Sequence, residues 1–147
     1  MSKIFIRKGT IDEAVSISRG IPEFENVYGE EEYMKRMKNR IGHILIAESG
    51  GKAAGFKAGY VEDGYFYSWM GGVVPEFRRM EIARKLAKEQ EEWVIAQGIN
   101  TIRFKTQNKF KGMLIFALKN GFRIIGTEKF AGGEGFKIVL EKELIDD

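Results

Sequence analysis

Apolar residues recur along this chain in two rhythms. Alternation at every second position predicts strands, and recurrence every three to four positions predicts helices. "KIFIR" alternates Ile4 and Ile6 with polar neighbours, the pattern of a short strand. Thr10 and Glu13 then stand at capping-box spacing, so a helix starts there and ends near Gly20. After "IPEFENVYGEEE" a second helix is expected to carry Tyr33, Met34, Met37 and Ile41 along one side. Three strands follow, "HILIAES", "KAAGFKAGYVE" and "YFYSWMGGVV", separated by Gly50-Gly51 and Asp63-Gly64 and ended by Pro75. Those dipeptides are tight-hairpin signals, so the three strands are expected to be antiparallel neighbours.

A long helix is expected from about Arg79 to Gln97, with Ile82, Ala83, Leu86, Ala87, Gln90 and Val94 on one face and Gly98 as its stop. "NTIRFKT" reads as a strand and "KFKGMLIFALKN" as a helix stopped by Gly121. "FRIIGTEKF" and "GFKIVLEKEL" read as a closing hairpin around Gly132-Gly133. The order is β-α-α-β-β-β-α-β-α-β-β, seven strands and four helices. Its central strand–helix–strand unit needs a crossover, which makes those two strands a parallel pair within a mostly antiparallel sheet. The fold class is therefore α/β (α+β), mixed. Without linker, repeat or low-complexity segment, residues 1–147 are expected to form a single domain. Ligands of such sheets bind where the strand pattern changes direction, here near Val74 and Thr106.

Composition narrows the chemistry. The chain has 147 residues, 44% hydrophobic and 31% charged, the balance of a globular protein able to bury a core. It has no cysteine and one histidine, which argues against thiolate chemistry and against a metal centre. A net charge of +3 is too mild to argue for nucleic acid but suits a small polyanion. The first residues lack a signal-peptide core, and no stretch approaches the ~20 apolar residues of a membrane span. A cytoplasmic protein with no membrane partner is the expectation.

"VVPEFRRMEIARKL" carries the sharpest signal, a strand closed by proline, a turn crowded with arginines, then an amphipathic helix. The first N–H groups of a helix lack internal partners and favour an anion. Arg78, Arg79 and Arg84 add charge of the right sign. Glu81 adds the wrong sign, either as an ordinary acid in a helix's first turn or as a competitor for those N–H groups. Placed in the first turn, it is expected to loosen the helix by roughly 0.5–1 kcal/mol if replaced by glycine. A solvated surface helix is the bland alternative for the whole segment.

The element order, this segment and "NGF" at Asn120–Phe122 together resemble the GNAT superfamily of acetyl-CoA-dependent N-acetyltransferases, over essentially the whole chain. The segment is similar to that family's V-x-P-E-[YF]-R-G-x-G-[IL]-[GA]-x-x-L pattern. The resemblance implies a GNAT-like seven-stranded sheet flanked by four helices, with a splayed parallel strand pair at its centre. It implies acetyl-CoA as cosubstrate and no metal. Gly72, Val73 and Val74 would line the pantetheine arm, with a backbone N–H near Gly72 or Val73 at the developing oxyanion. Arg79, Met80, Glu81, Ile82, Ala83 and Arg84 would cradle the pyrophosphate, and Asn108 would contact the cofactor. The lysines and arginines of "RFKTQNKFKG" are then accounted for by the 3′-phosphate and adenine rather than by single-stranded nucleic acid.

Three features depart from the pattern or extend it. Arg79 and Glu81 replace its two glycines. Ala117 occupies the place of its proton-donating tyrosine, leaving Tyr65, Tyr67 and Ser68 as candidate donors, or unassisted thiolate departure. At least one of those tyrosines is expected to serve only in packing. Glu23 and Glu25, between the first two helices, are candidates to attract an amine and help remove its proton, whereas Glu30–Glu32 fit a helix start. His43 is expected at the surface or in a cap. The function implied is acetyl transfer to an unidentified primary amine, with a non-catalytic acyl-CoA-binding domain as the alternative. Oligomeric state is left open between monomer and homodimer.

Overall fold

The computed structural model describes residues 3–24, 26–78, 81–130 and 135–144. Glu25, Arg79 and Met80, and the expected turn at Gly132-Gly133, lie outside the described residues. In chain order the elements are β1 (Ile4–Lys8), α1 (Ile11–Ser18), α2 (Glu30–Met37), β2 (Gly42–Ser49), β3 (Lys52–Glu62) and β4 (Tyr65–Val73). A 3-10 turn at Pro75–Phe77 leads to α3 (Ile82–Ala96), followed by β5 (Thr101–Thr106), α4 (Lys111–Lys119), β6 (Arg123–Lys129) and β7 (Phe136–Glu143). The strands form one seven-stranded sheet in the order β1-β2-β3-β4-β5-β7-β6. Every neighbouring pair is antiparallel except β4 and β5, which are parallel. The mixed α/β architecture expected from the pattern is the one found.

Local chemistry sets the boundaries. The Thr10 hydroxyl accepts from the Glu13 N–H at 3.3 Å while the Glu13 carboxylate accepts from the Thr10 N–H at 3.1 Å, a complete capping box. Arg7 grips the same carboxylate and holds its pKa down at about 2. Gly50 and Gly51 take φ values of 59° and 81°, the left-handed pair that a two-residue β2–β3 turn requires.

Helices cover both faces of the sheet centre, so β2 and β3 are buried on both sides and read as near-continuous apolar runs. On one face, Ala14, Val15 and Ile17 of α1 and Tyr33 of α2 pack with Ile44, Ile46, Phe56 and Ala58. On the other, Ile82 and Leu86 of α3 pack with Leu45, Ala47 and Ala54. The stripe Ile82, Leu86, Gln90, Val94 is the fully buried line of α3, while Ala83 and Ala87 are half-buried beside it. Ala117 of α4 closes a smaller cluster with Ile138 and Leu140 under β7.

Three expectations are corrected. Met34 and Ile41 are exposed, because α2 ends at Met37 and buries chiefly Tyr33. His43 is not at the surface; it is 5% exposed and stacks on Trp93 of α3 at 4.0 Å. The long helix begins at Ile82, after Glu81, not at Arg79.

Candidate active site

A gap opens at the sheet centre. β4 and β5 are in register only at Phe66–Ile102 and Tyr67–Arg103. Past Tyr67, β4 runs on to Val73 and β5 to Thr106 without pairing. The cause lies in a β-bulge in the pairing of β4 with β3, on the side of β4 away from the gap. Ala58 of β3 faces Met70 while Gly59 faces Ser68, so Trp69 is an extra residue that bends β4 away. Gly59 is required there, because a Cβ on it would lie 2.3 Å from the Tyr67 carbonyl and 2.6 Å from the Phe66 ring.

The lip of the gap offers backbone groups. Val74 N–H donates to the Ala54 carbonyl at 2.8 Å. Antiparallel partners alternate between bonded and non-bonded pairs. With Phe56 opposite Gly72 and Gly55 opposite Val73, Gly72 therefore also turns its N–H toward β3. Gly71 and Val73 turn theirs into the gap.

Beyond the lip, the chain turns into α3. Arg78 donates from Nε to the Val73 carbonyl at 3.1 Å and clasps Glu23 with both terminal nitrogens, at 2.8 and 2.9 Å. This fork holds the Glu23 carboxyl below the usual carboxylate range. Glu81 is the N-cap of α3 at φ 61°, ψ 16°, in the left-handed region, and makes no capping bond. Its carboxylate instead meets Arg84 at 2.9 Å. Among the described residues, the N–H groups of Ile82, Ala83 and Arg84 thus begin the helix without a side-chain acceptor, and no acid stands in its first turn.

The opposite face of the gap carries a trough of about 490 Å³ along β4. Tyr67, Trp69 and Met70 of the bulged strand floor it, with Tyr28 and Arg36 on one side and Lys105 on the other. The Arg36 guanidinium lies 4.4 Å over the Trp69 ring and donates to the Tyr60 hydroxyl at 3.0 Å. Lys105 pairs with Glu128 at 3.0 Å, and Arg103 with Glu141 at 2.7 Å. The trough is therefore walled by aromatic rings, with Arg103 and Lys105 each already paired to an acid. Burial pushes the Tyr67 phenol up to about 12. Among the described residues no cluster of His, Cys, Asp or Glu could hold a metal ion, and no helix is long and apolar enough to cross a membrane.

A model of the acetyltransferase (GNAT) family matches residues 13–122. The chain belongs to the GNAT acetyltransferase family. No curated protein matches it in sequence. Among solved structures, the ribosomal-protein-S18-alanine N-acetyltransferase from Escherichia coli matches with a TM-score of 0.82 and 13% identity, over 99% of this chain and 96% of its own. Ard1 from Thermoplasma volcanium matches at 0.83 and 15% identity, over 97% and 99%. The PaiA N-acetyltransferase from Thermoplasma acidophilum, solved in complex with coenzyme A, matches at 0.73 and 21% identity, over 96% and 99%. At these identities the likeness is one of fold.

In this GNAT chain the expected site residues divide between the two faces of the gap. Val73 and Val74 lie on the lip, Ile82 is buried under it, and Ala83 and Arg84 stand at the helix start. Asn108 is exposed in the turn after β5. Tyr67 belongs to the trough, and Gly72 presses its bare Cα toward Ile21, where a Cβ would come within 2.7 Å. Glu23 is engaged by Arg78 and is not a free base. Trp69, Arg36 and Glu128 escaped the sequence reading, and Lys105, expected with the cofactor's phosphate and adenine, lies on the trough paired with Glu128; only the aromatic density of "YFYSWM" hinted at a built wall.

The glycine that the family pattern places at position 81 has a physical reason here. A left-handed N-cap costs a residue with a Cβ about 1–2 kcal/mol, so glycine fits the turn better than glutamate. The loosening expected from the sequence is thereby reversed, since Glu81 precedes the helix. Glu81→Gly is expected to raise stability by about 0.5 kcal/mol, after glycine's extra chain entropy is subtracted. Glu81→Gln leaves the strain and frees Arg84, and should tighten coenzyme A binding several-fold at low salt. Urea unfolding and calorimetric titration check the pair; weaker binding by the glutamine variant would mean that the carboxylate supports the ligand.

Proposed function

We propose that this chain transfers the acetyl group of acetyl-CoA to the nitrogen of a primary amine, by direct attack on the thioester. The observation that carries the reading is the gap between β4 and β5, with a free helix start at one end and an aromatic trough on its far face. The pyrophosphate is assigned to the N–H groups of Ile82, Ala83 and Arg84, with Arg79, Met80 and Asn108 as the further candidates that the sequence offers. The pantetheine arm follows the free edge of β4, paired to Val73 and bordered by Val74. The gap-facing N–H of Gly71, beside the expected Gly72, is aimed best at the developing oxyanion.

The acceptor amine is assigned to the trough, with Tyr67 lining its approach. Its proton leaves to water or to a carboxylate, for which Glu25 is the residue the sequence offers once Glu23 is engaged by Arg78. Acetyl-CoA should raise the melting temperature by several degrees, because a ligand held only by the native state stabilises it. Free-thiol release should follow with one or more of an alanine-terminal tetrapeptide, spermine and an aminoglycoside. A melting shift without thiol release from any amine would favour the non-catalytic acyl-CoA-binding reading. Absence of the shift at millimolar acetyl-CoA and low salt would remove both.

A further inference from the structure

Lys57 is the one charged side chain that the central strands carry under α3. β3 lies between β2 and β4, and Lys57 pairs in register with Leu45 on one side and Gly71 on the other. Antiparallel partners share a face, so Lys57 projects beside Leu45, whose cluster packs on Ile82 and Leu86 of α3. Its stem crosses the bare Cα of Gly71, where a Cβ would come within 3.1 Å of its Cγ. Its ammonium ends 3.4 Å from the Ser68 hydroxyl. Ser68 is the first residue of β4 past the last pair with β5, so its hydroxyl stands at the vertex of the gap, 8% exposed.

Lys57 is half-buried, yet its ammonium is turned inward beside Ser68 rather than out to water. Among the described residues no carboxylate forms a salt bridge with it. Glu91 of α3 is the acid whose field reaches it, and both its oxygens are held by Lys142 of β7, at 2.9 and 3.1 Å. Burial brings the Lys57 pKa down to about 8, next to the ~8.5 of an ordinary thiol. A lysine held near that value is still mostly protonated at neutral pH and gives up a proton readily. Tyr67, by contrast, holds its proton more tightly than a free phenol and lies on the other face.

The position matches a need that the rest of the site leaves unmet. Ala117, on α4, carries no proton. A pyrophosphate at the start of α3 brings the arm along β4 from Val73 toward Ser68, roughly 16 Å at about 3.3 Å per residue, the scale of an extended pantetheine chain. The sulfur then arrives at the bulge, with the amine in the trough on one face and Ser68 and Lys57 on the other.

We infer that Ser68 is the catalytic proton donor to the departing coenzyme A sulfur, with Lys57 the positioning residue that resupplies its proton. The inference rests on the acetyl-transfer reading above. As the tetrahedral intermediate collapses, the C–S bond breaks and its electron pair stays on sulfur. The Ser68 proton passes to sulfur, and Oγ recovers one from the Lys57 ammonium, which is left neutral. Water reprotonates Lys57 after the thiol leaves, and the proton lost by the amine goes to solvent.

Ser68→Ala and Lys57→Met test this, assayed with acetyl-CoA and whichever of the tetrapeptide, spermine or aminoglycoside releases thiol fastest. Ser68→Ala removes a single oxygen whose hydrogen-bond partner is Lys57, so the fold should survive it. Both variants should keep the melting shift with acetyl-CoA and its KM, while kcat falls about 10²-fold, the usual worth of a general acid. In the native enzyme kcat should decline above about pH 8 as Lys57 loses its proton, and that decline should vanish in both variants. Lys57→Arg keeps the charge but not an acid of usable strength, and should behave like Lys57→Met. Unchanged kcat, or an alkaline decline that persists in Ser68→Ala, overturns the inference and leaves acetyl transfer standing. If the native chain shows no acetyl-CoA shift, the underlying reading falls and takes this one with it.

Discussion

Gly59→Ala is expected to destabilise the protein by about 3 kcal/mol, the upper end of what overpacking usually costs, and to abolish the melting shift with acetyl-CoA. The added methyl would meet the Tyr67 carbonyl at 2.3 Å and two ring atoms of Phe66 at 2.6 Å. Neither neighbour can step aside cheaply. One is backbone in a paired strand, and the other is a ring fully buried between β4 and α3. The chain can relieve the contact only by moving β4 against β3, which undoes the register shift at Gly59. That shift places the extra residue Trp69 and turns β4 away from β5, so losing it closes the gap. Gly112→Ala is the matched control, because a Cβ there meets nothing within 4 Å and lies inside α4. It should stabilise by roughly 0.5–1 kcal/mol, the helical preference for alanine. Urea unfolding with and without acetyl-CoA checks both. A Gly59→Ala protein within about 1 kcal/mol of the native one, still shifted by ligand, would show that the bulge does not depend on this glycine.

The architecture was legible because its determinants are local. Thr10 with Glu13, Gly50-Gly51 and the four-residue stripe from Ile82 to Val94 each fix an element within a dozen positions. The parallel pair followed from needing a crossover between "YFYSWMGGVV" and "NTIRFKT". The site was legible in outline for a similar reason, since the strand–proline–arginine–helix segment is contiguous. The rest depends on contacts between distant positions. A bulge at Trp69 is a property of two strands in register, and nothing in "YFYSWM" alone says which residue is the extra one. Arg78 looked like a phosphate ligand until Glu23, far off in sequence, proved to hold it. Glu81 looked like a first-turn acid because the helix was begun at Arg79; its left-handed φ follows from how the 3-10 turn meets α3. Lys57 gave no signal, since a lysine in an alternating strand normally faces water.

His43 was misread for that same reason, and its burial leads to a prediction about acid stability. It lies on β2 opposite Gly59 and shares that residue's face, where its ring stacks on Trp93 at 4.0 Å and 12°. Trp93 in turn meets the Phe66 ring edge-on at 5.6 Å, so the imidazole supports the packing that surrounds the bulge. Its Nδ1 is buried without a hydrogen-bond partner. Burial, with Lys8 as a lesser cause, brings its pKa down from 6.5 to about 4. A group that binds its proton more weakly when folded leaves the unfolded chain holding more protons between those two values, so stability rises with pH across that window. The contribution is fully present above about pH 6.5 and is lost progressively down to about pH 4. From pH 7 to pH 5 the native protein should lose roughly 2 kcal/mol on this account, at about 1.4 kcal/mol per unit. Glu13, held at about 2, Glu23 and Glu141 are also depressed, but as carboxylates they weaken the fold mainly below pH 5. His43→Phe keeps a flat ring against Trp93, removes the unpartnered nitrogen and cannot be protonated. Urea unfolding at pH 7 and pH 5 should therefore show a native protein that weakens and a variant that holds its stability. Equal losses in the two proteins would mean that His43 takes up its proton without leaving the stack, and that acid sensitivity above pH 5 arises elsewhere.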